Sequence, residues 1–185
     1  MVANIIRKQH GLTLVEVVIA AGLLSIAVLG SAMILVSTLN MWAKGVSGTS
    51  ANTYASIAMR KLVLDIEEGS EAVALSTVTD PDTGVKYGTR LQVTFPYFTG
   101  TYYNKTQTGS VATYYLSGPN GTEQTGTYLW KTVDGSRTRL ATNVQEVRFF
   151  VTNGVLVRIN LTGQDVEGTA ISPNYLQQSV KLRNG

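Results

Sequence analysis

The chain has 185 residues, no cysteine, one histidine (His10) and a formal net charge of +3. That length suits one domain plus an anchor. The lack of cysteine excludes a disulfide framework, a cysteine metal site and a cysteine nucleophile, and so small a charge indicates no broadly basic partner-binding surface. Apolar residues make up an ordinary 44%, but much of that total falls between residues 12 and 39. The remainder is rich in Gly, Thr, Ser, Tyr and Asn, which reads as an extracellular β-rich domain.

Arg7 and Lys8 precede Gly11, and an almost unbroken apolar run extends from Leu12 to Leu39. As a helix this run is about 42 Å long, more than the roughly 30 Å hydrocarbon core of a bilayer. A secretory signal has a shorter apolar stretch, about 7–15 residues, ending at small residues. Here the apolar run follows the glycine instead. The two cations place its amino side in the cytoplasm and the bulk of the chain outside. Glu16 is the only charged side chain in the run. A carboxylate at the centre of a membrane helix costs roughly 2.5–3.5 kcal/mol, so Glu16 calls for a neutralising partner.

Helical periodicity continues past the run. Ala51, Ala55, Ala58, Leu62 and Ile66 form one apolar stripe, with Tyr54, Met59 and Val63 beside it. Lys44, Arg60, Lys61, Asp65, Glu67 and Glu68 supply the polar faces. The spacing predicts a helix over 12–68, loosened near Gly45 and Gly48, whose second half is covered by a β domain.

Beyond Gly69 the pattern changes to strands and turns. Strands are expected at Glu71–Thr77, Val85–Phe95, Val111–Leu116, Tyr128–Val133, Arg137–Ala141, Val144–Thr152, Val155–Thr162 and Leu176–Arg183. Tyr97–Ser110 reads as an irregular loop. Asp80-Pro81-Asp82-Thr83-Gly84 and Gly118-Pro119-Asn120-Gly121 read as turns. Asp134-Gly135 and Asn153-Gly154 have the chemistry of two-residue hairpin turns. A long helix followed by an antiparallel meander is an α+β arrangement.

Lys8-Gln9-His10-Gly11 followed by Leu12-Thr13-Leu14-Val15-Glu16 resembles the class III leader of type IV pilins and type II secretion pseudopilins. The resemblance implies that prepilin peptidase cuts after Gly11 and methylates the new terminus, Leu12. It implies removal of 1–11, a filament-core or transmembrane helix over 12–39, its amphipathic continuation over 40–68 and a β globular domain over 69–185. It also implies that Glu16 pairs with the amino terminus of a neighbouring subunit and sets register. Many major pilins carry a proline near the middle of this helix; this run has none. A looser resemblance, to larger minor pilins and J-type pseudopilins, rests on Tyr128-Leu129-Trp130-Lys131, Leu140-Ala141-Thr142-Asn143-Val144, Val147-Arg148-Phe149-Phe150 and Val180-Lys181-Leu182-Arg183-Asn184. The implied partners are prepilin peptidase, other pilins or pseudopilins, an assembly platform and the bacterial inner membrane. The implied destination is a pilus or pseudopilus.

Other motifs admit two readings. Asp80, Asp82 and Gly84 mimic the start of a calcium loop, but the twelfth position holds Leu91 rather than an acid, so a turn is expected and no metal or cofactor. Tyr97, Phe98, Tyr102, Tyr103, Tyr114 and Tyr115 around Lys105 could stack single-stranded DNA, or form strand-face pairs or a subunit contact. Asn104, Asn120 and Asn160 begin glycosylation-type triplets, read here as turn and strand residues. Without His10 the processed chain has no histidine or cysteine to serve as base or nucleophile. The expectation is a minor pilin-like structural subunit and no enzyme. The alternatives are a type II secretion pseudopilin and a membrane-tethered DNA- or surface-binding module that does not polymerise.

Overall fold

Helix α1 runs from Leu14 to Ile66 in the computed structural model, which describes residues 13–98, 100, 103–168, 171–172 and 175–185. The chain divides into two compact units, Met1–Ala43 and Lys44–Gly185. Within the second, α1 is unbroken at Gly45 and Gly48, contrary to the expected loosening. A helical glycine costs only about 1 kcal/mol relative to alanine, and hydroxyls close on the backbone here. Thr49 Oγ1 donates to Gly45 O, and Thr53 Oγ1 to Thr49 O, both at 2.9 Å.

Eight strands follow: β1 (Glu71–Thr79), β2 (Lys86–Phe98), β3 (Tyr103–Ser117), β4 (Tyr128–Val133), β5 (Ser136–Ala141), β6 (Val144–Thr152), β7 (Leu156–Gly163) and β8 (Leu176–Lys181). Their pairings are antiparallel, in the order β5-β4-β3-β2-β6-β7-β8 with β1 on β2. The sheet forks on β2. β3 pairs with it from Arg90 onward, whereas β6 joins at Gly88, which is also opposite Thr77 of β1. A Cβ at Gly88 would lie 2.8 Å from Ala74 Cβ and 2.9 Å from Arg90 O, so the fork requires glycine.

The apolar stripe of α1 faces this sheet. Ala51, Ala55, Ala58, Leu62 and Ile66 are fully buried, with Leu91, Val93, Tyr114, Leu129, Phe149, Ile159 and Leu161 from the strands. Together with Met59 these residues, apart from Ala51, form one apolar cluster. Contact at the far end of β7 is closer still: a Cβ on Gly163 would stand 2.1 Å from Ala51 O. A polar anchor locks the rotation of the helix. Asp65 Oδ2 accepts from the Tyr114 hydroxyl at 2.9 Å, and Oδ1 accepts from Lys131 Nζ at 2.7 Å. Burial, and then the Asp65 carboxylate, raise the Tyr114 hydroxyl far above the usual tyrosine range.

Three further expectations need correction. Tyr97–Ser110 is largely strand, because β2 continues through Pro96 to Phe98 and β3 begins at Tyr103. The missing proline N–H is absorbed at a bulge, where the register shifts on both sides of Pro96. The Asp134-Gly135 turn has two residues, with φ of 48° and 82° and Val133 opposite Ser136. The Asn153-Gly154 turn also takes Val155, so Thr152 pairs with Leu156. Finally, β8 stops at Lys181, short of Arg183. The Arg183 amide donates to Glu67 O at 2.8 Å and its guanidinium pairs with the Glu67 carboxylate at 3.0 Å, tying this segment to the turn that follows α1.

Leu62 is fully buried and Ile57, on the same helix, is 47% exposed. Leu62→Ala is expected to destabilise the Lys44–Gly185 unit by about 2–5 kcal/mol, and Ile57→Ala by less than about 0.5 kcal/mol. Chemical denaturation followed by circular dichroism measures both, and equal losses would contradict this core.

Candidate assembly site

Thr13 immediately precedes α1, and Glu16 lies in its first turn. A threonine followed three residues later by glutamate is the sequence of a capping box, and the backbone here closes it. Thr13 N and Thr13 Oγ1 each donate to Glu16 Oε2 at 2.9 Å. Glu16 N donates in return to Thr13 Oγ1 at 3.3 Å. Among the described residues, Glu16 Oε1 accepts no hydrogen bond. The carboxylate also stands near the positive end of the helix dipole, an arrangement worth about 0.3–1 kcal/mol. Its own helix therefore meets half of the demand that made Glu16 anomalous. Among the described residues the other oxygen has no partner, which leaves it open to a cation.

The sequence reading identified Glu16 but missed Thr13. The Thr-x-x-Glu spacing was the signal available. Arg7, Lys8, Gly11 and Leu12 lie outside the described residues.

From Leu14 to Ala43 the helix shows apolar side chains to its surroundings: Leu14 is 83% exposed and Met33 73%. The segment is long and apolar enough to cross a membrane. Its hydroxyl groups suit that medium. Ser25, Ser31 and Thr38 donate to the carbonyls of Ala21, Ala27 and Ile34, each at 2.8 Å, so none of these donors faces lipid unsatisfied.

The remaining candidates are mostly structural. Asp80 Oδ1 accepts from the amides of Asp82 and Thr83 at 3.0 and 3.2 Å, and Oδ2 pairs with Arg148. Arg148 Nε also donates to Glu146 at 2.7 Å. This carboxylate shapes a turn and ties it to β6. The Asp82 and Thr83 amides, followed by Arg148, hold its carboxyl below the usual range. The Glu146 hydrogen bond raises the Arg148 guanidinium. Among the described residues no three acidic or histidine side chains gather as a metal site.

The aromatic group does not converge. Tyr114 faces the core and Tyr115 lies buried on the other face of β3. Tyr97 is half exposed, and the side chains of Phe98, Tyr102, Tyr103 and Lys105 lie outside the described set. Asn160 is in strand β7 with a buried Oδ1. Asn120 is exposed in its turn.

Residues 6–32 match the model of the prokaryotic N-terminal methylation motif. The chain thus carries the class III prepilin leader of type IV pilins and pseudopilins. No curated protein and no solved structure matches the chain. The motif supports a pilin-like or pseudopilin subunit in general, and implies processing by prepilin peptidase and assembly with other pilins. With the apolar helix, it fits a membrane-anchored protein.

Thr13→Ala is expected to cost about 0.5–2 kcal/mol at the first turn. Hydrogen exchange of the Glu16 amide, measured on the full chain in detergent micelles, should quicken several-fold; Thr13→Ser should retain protection. Unchanged exchange in Thr13→Ala would remove the cap.

Asp80 yields a pH test. A carboxylate with a lowered folded pKa stabilises the fold above its unfolded value, about 3.9. That contribution is lost as pH falls through the folded value. The stability gap between the native chain and Asp80→Asn should therefore be full at pH 6 and shrink below about pH 4. Urea midpoints across that range measure it, and a constant gap would contradict the linkage.

Proposed function

We propose that this chain is a minor pilin-like structural subunit of a type IV pilus, acting by assembly rather than catalysis. Prepilin peptidase cuts between Gly11 and Leu12 and methylates the Leu12 amine. An assembly platform then moves the apolar helix from the bacterial inner membrane, where its amino side faces the cytoplasm, into a filament core. The observation that carries this reading is Glu16, inside the methylation motif and fixed in the first turn, with one carboxylate oxygen unpartnered among the described residues.

A cationic amine and a carboxylate are each costly when alone in an apolar medium. Their pairing fixes one subunit axially against the next, and register is the best-attested use of such buried pairs. Size and the carboxy-terminal pattern favour a larger minor pilin over a major one. Tyr128–Lys131 is in β4 and Val147–Phe150 in β6. The same residues resemble J-type pseudopilins, so a type II secretion pseudopilus is the second reading. The identity of the neighbouring genes separates the two.

Gly11→Val is expected to block processing, leaving the full-length precursor on an immunoblot. Glu16→Gln is the sharper variant, because glutamine at this position still closes a capping box while the charge is lost. It should be processed normally, yet its incorporation into sheared filaments should fall at least about tenfold, the loss expected for about 1.4 kcal/mol. Processing of Gly11→Val, or native-level incorporation of Glu16→Gln, would overturn the reading.

A further inference from the structure

The face of the sheet turned away from α1 is built differently from the core face. Strand register places Arg90, Tyr115, Trp130 and Arg139 in one row across β2 to β5, and Thr113, Thr132 and Arg137 in the next. The segment 118–127 closes over these rows and is pinned from below. Trp130 Nε1 donates to Gly118 O at 3.0 Å, and Ser117 Oγ to Glu123 O at 2.7 Å. The Tyr115 hydroxyl donates to Gly121 O at 2.9 Å and lies 3.0 Å from Thr132 Oγ1. Gly121, at φ 71°, allows the segment to turn onto the Trp130 ring.

Two cavities lie against this segment, of about 310 and 380 Å³. Both are lined by Arg90 and Tyr115. The smaller also receives Arg137, Thr113, Thr122, Thr132 and Glu123. Its size is at the lower end of the roughly 300–1,000 Å³ typical of small-ligand sites.

The lining is unusual for a structural crevice. Among the described residues, neither Arg90 nor Arg137 pairs with a carboxylate. The Arg90 guanidinium instead lies 5.2 Å from the centre of the Tyr115 ring, which orients it while leaving its donors unspent. Two free guanidinium groups suit a planar carboxylate. The Thr113 and Thr122 hydroxyls beside them can donate or accept, whereas Thr132, whose proton goes to the Tyr115 oxygen, and the Glu123 carboxylate accept only. That carboxylate favours hydroxyl donors and repels a dianion such as phosphate more strongly than a monoanion. The complementary ligand carries one carboxylate and several hydroxyls.

We propose that this cleft binds a sugar acid of monosaccharide size, its carboxylate on the guanidinium groups of the lining, Arg137 among them, and its hydroxyls on Thr113, Thr122, Thr132 and Glu123. The ligand is either the free acid or the terminal residue of an acidic glycan; the chemistry at the cleft is the same. The proposal does not rest on Glu16.

The chain has two tryptophans, Trp42 and Trp130, so Trp42→Phe leaves one reporter beside the cleft. The full chain carrying that change, in detergent micelles, is titrated with glucuronate, a glucuronate-terminated disaccharide, glucose, acetate and inorganic phosphate. Glucuronate should give a saturable change in Trp130 fluorescence, with glucose, acetate and phosphate at least about tenfold weaker. Tighter binding of the disaccharide assigns a glycan terminus, and equal or weaker binding assigns the free acid. Arg137→Gln, at an exposed position on edge strand β5, should weaken glucuronate at least about tenfold without changing the circular dichroism spectrum. Thr122→Ala, in the exposed segment, should weaken it by less. No saturable response, phosphate or glucose equal to glucuronate, or an Arg137→Gln variant that binds normally would each overturn the proposal.

Discussion

The second unit depends on how closely α1 approaches its sheet. Ala51, Ala55 and Ala58 bury little area themselves, but they are small enough to bring the helix backbone against β7 at Gly163. That approach brings Leu62 and Ile66 into the space between layers, where each buried side chain contributes about 1.5–3 kcal/mol. A valine at position 163 would meet Ala51 O and lift this end of the contact. The Asp65–Lys131 pair is a smaller term. Its side chains keep 27% and 22% of their exposure, and pairs that water can reach contribute about 0–1 kcal/mol. Packing thus supplies the stability. The anchor, with the Tyr114 hydroxyl on the second Asp65 oxygen, fixes which way the helix is turned.

That division explains what could be read directly. The stripe from Ala51 to Ile66 was legible because a helix repeats its buried face every three or four residues, and no distant partner is needed to see it. Asp134-Gly135 was legible for a similar reason: positive φ at two successive residues is a local demand that few residue pairs meet. The course of β2 through Pro96 was not legible. Proline argues against a strand until its neighbour is known, and here the neighbour accommodates it with a bulge. The fork at Gly88 was hidden too, since it depends on β1 and β6, which lie far apart in sequence. Segment 118–127 read correctly as a turn at its start, but nothing local showed it closing over Tyr115 and Trp130.

The Asp80 turn shows how a site-like pattern resolves into architecture. Two acids and a glycine in five residues invite a cation, and spacing alone argued against one. The structure supplies the reason the carboxylate is needed. One oxygen of Asp80 is committed to two backbone amides and the other to Arg148, so the group holds the β1–β2 connection onto β6. The cost of partly burying Arg148 is offset by two carboxylates rather than one, with Tyr87 and Tyr175 against its guanidinium at 4.8 and 5.0 Å.

Glu16 obeys a different economy. In a bare apolar helix a carboxylate lacks partners for both oxygens, and the sequence alone shows only that deficit. Thr13 removes half of it by drawing Oε2 into the first turn. The capping box also restricts the side chain, so an approaching cation meets an oriented acceptor rather than a mobile one, and less entropy is lost on pairing. A single remaining oxygen suits one compact cation better than a bidentate guanidinium. An amino terminus is such a cation, and it would arise at Leu12, one residue before the cap. On the proposed reading, the residue that makes the helix tolerable before assembly is therefore also the one that orients its carboxylate for assembly.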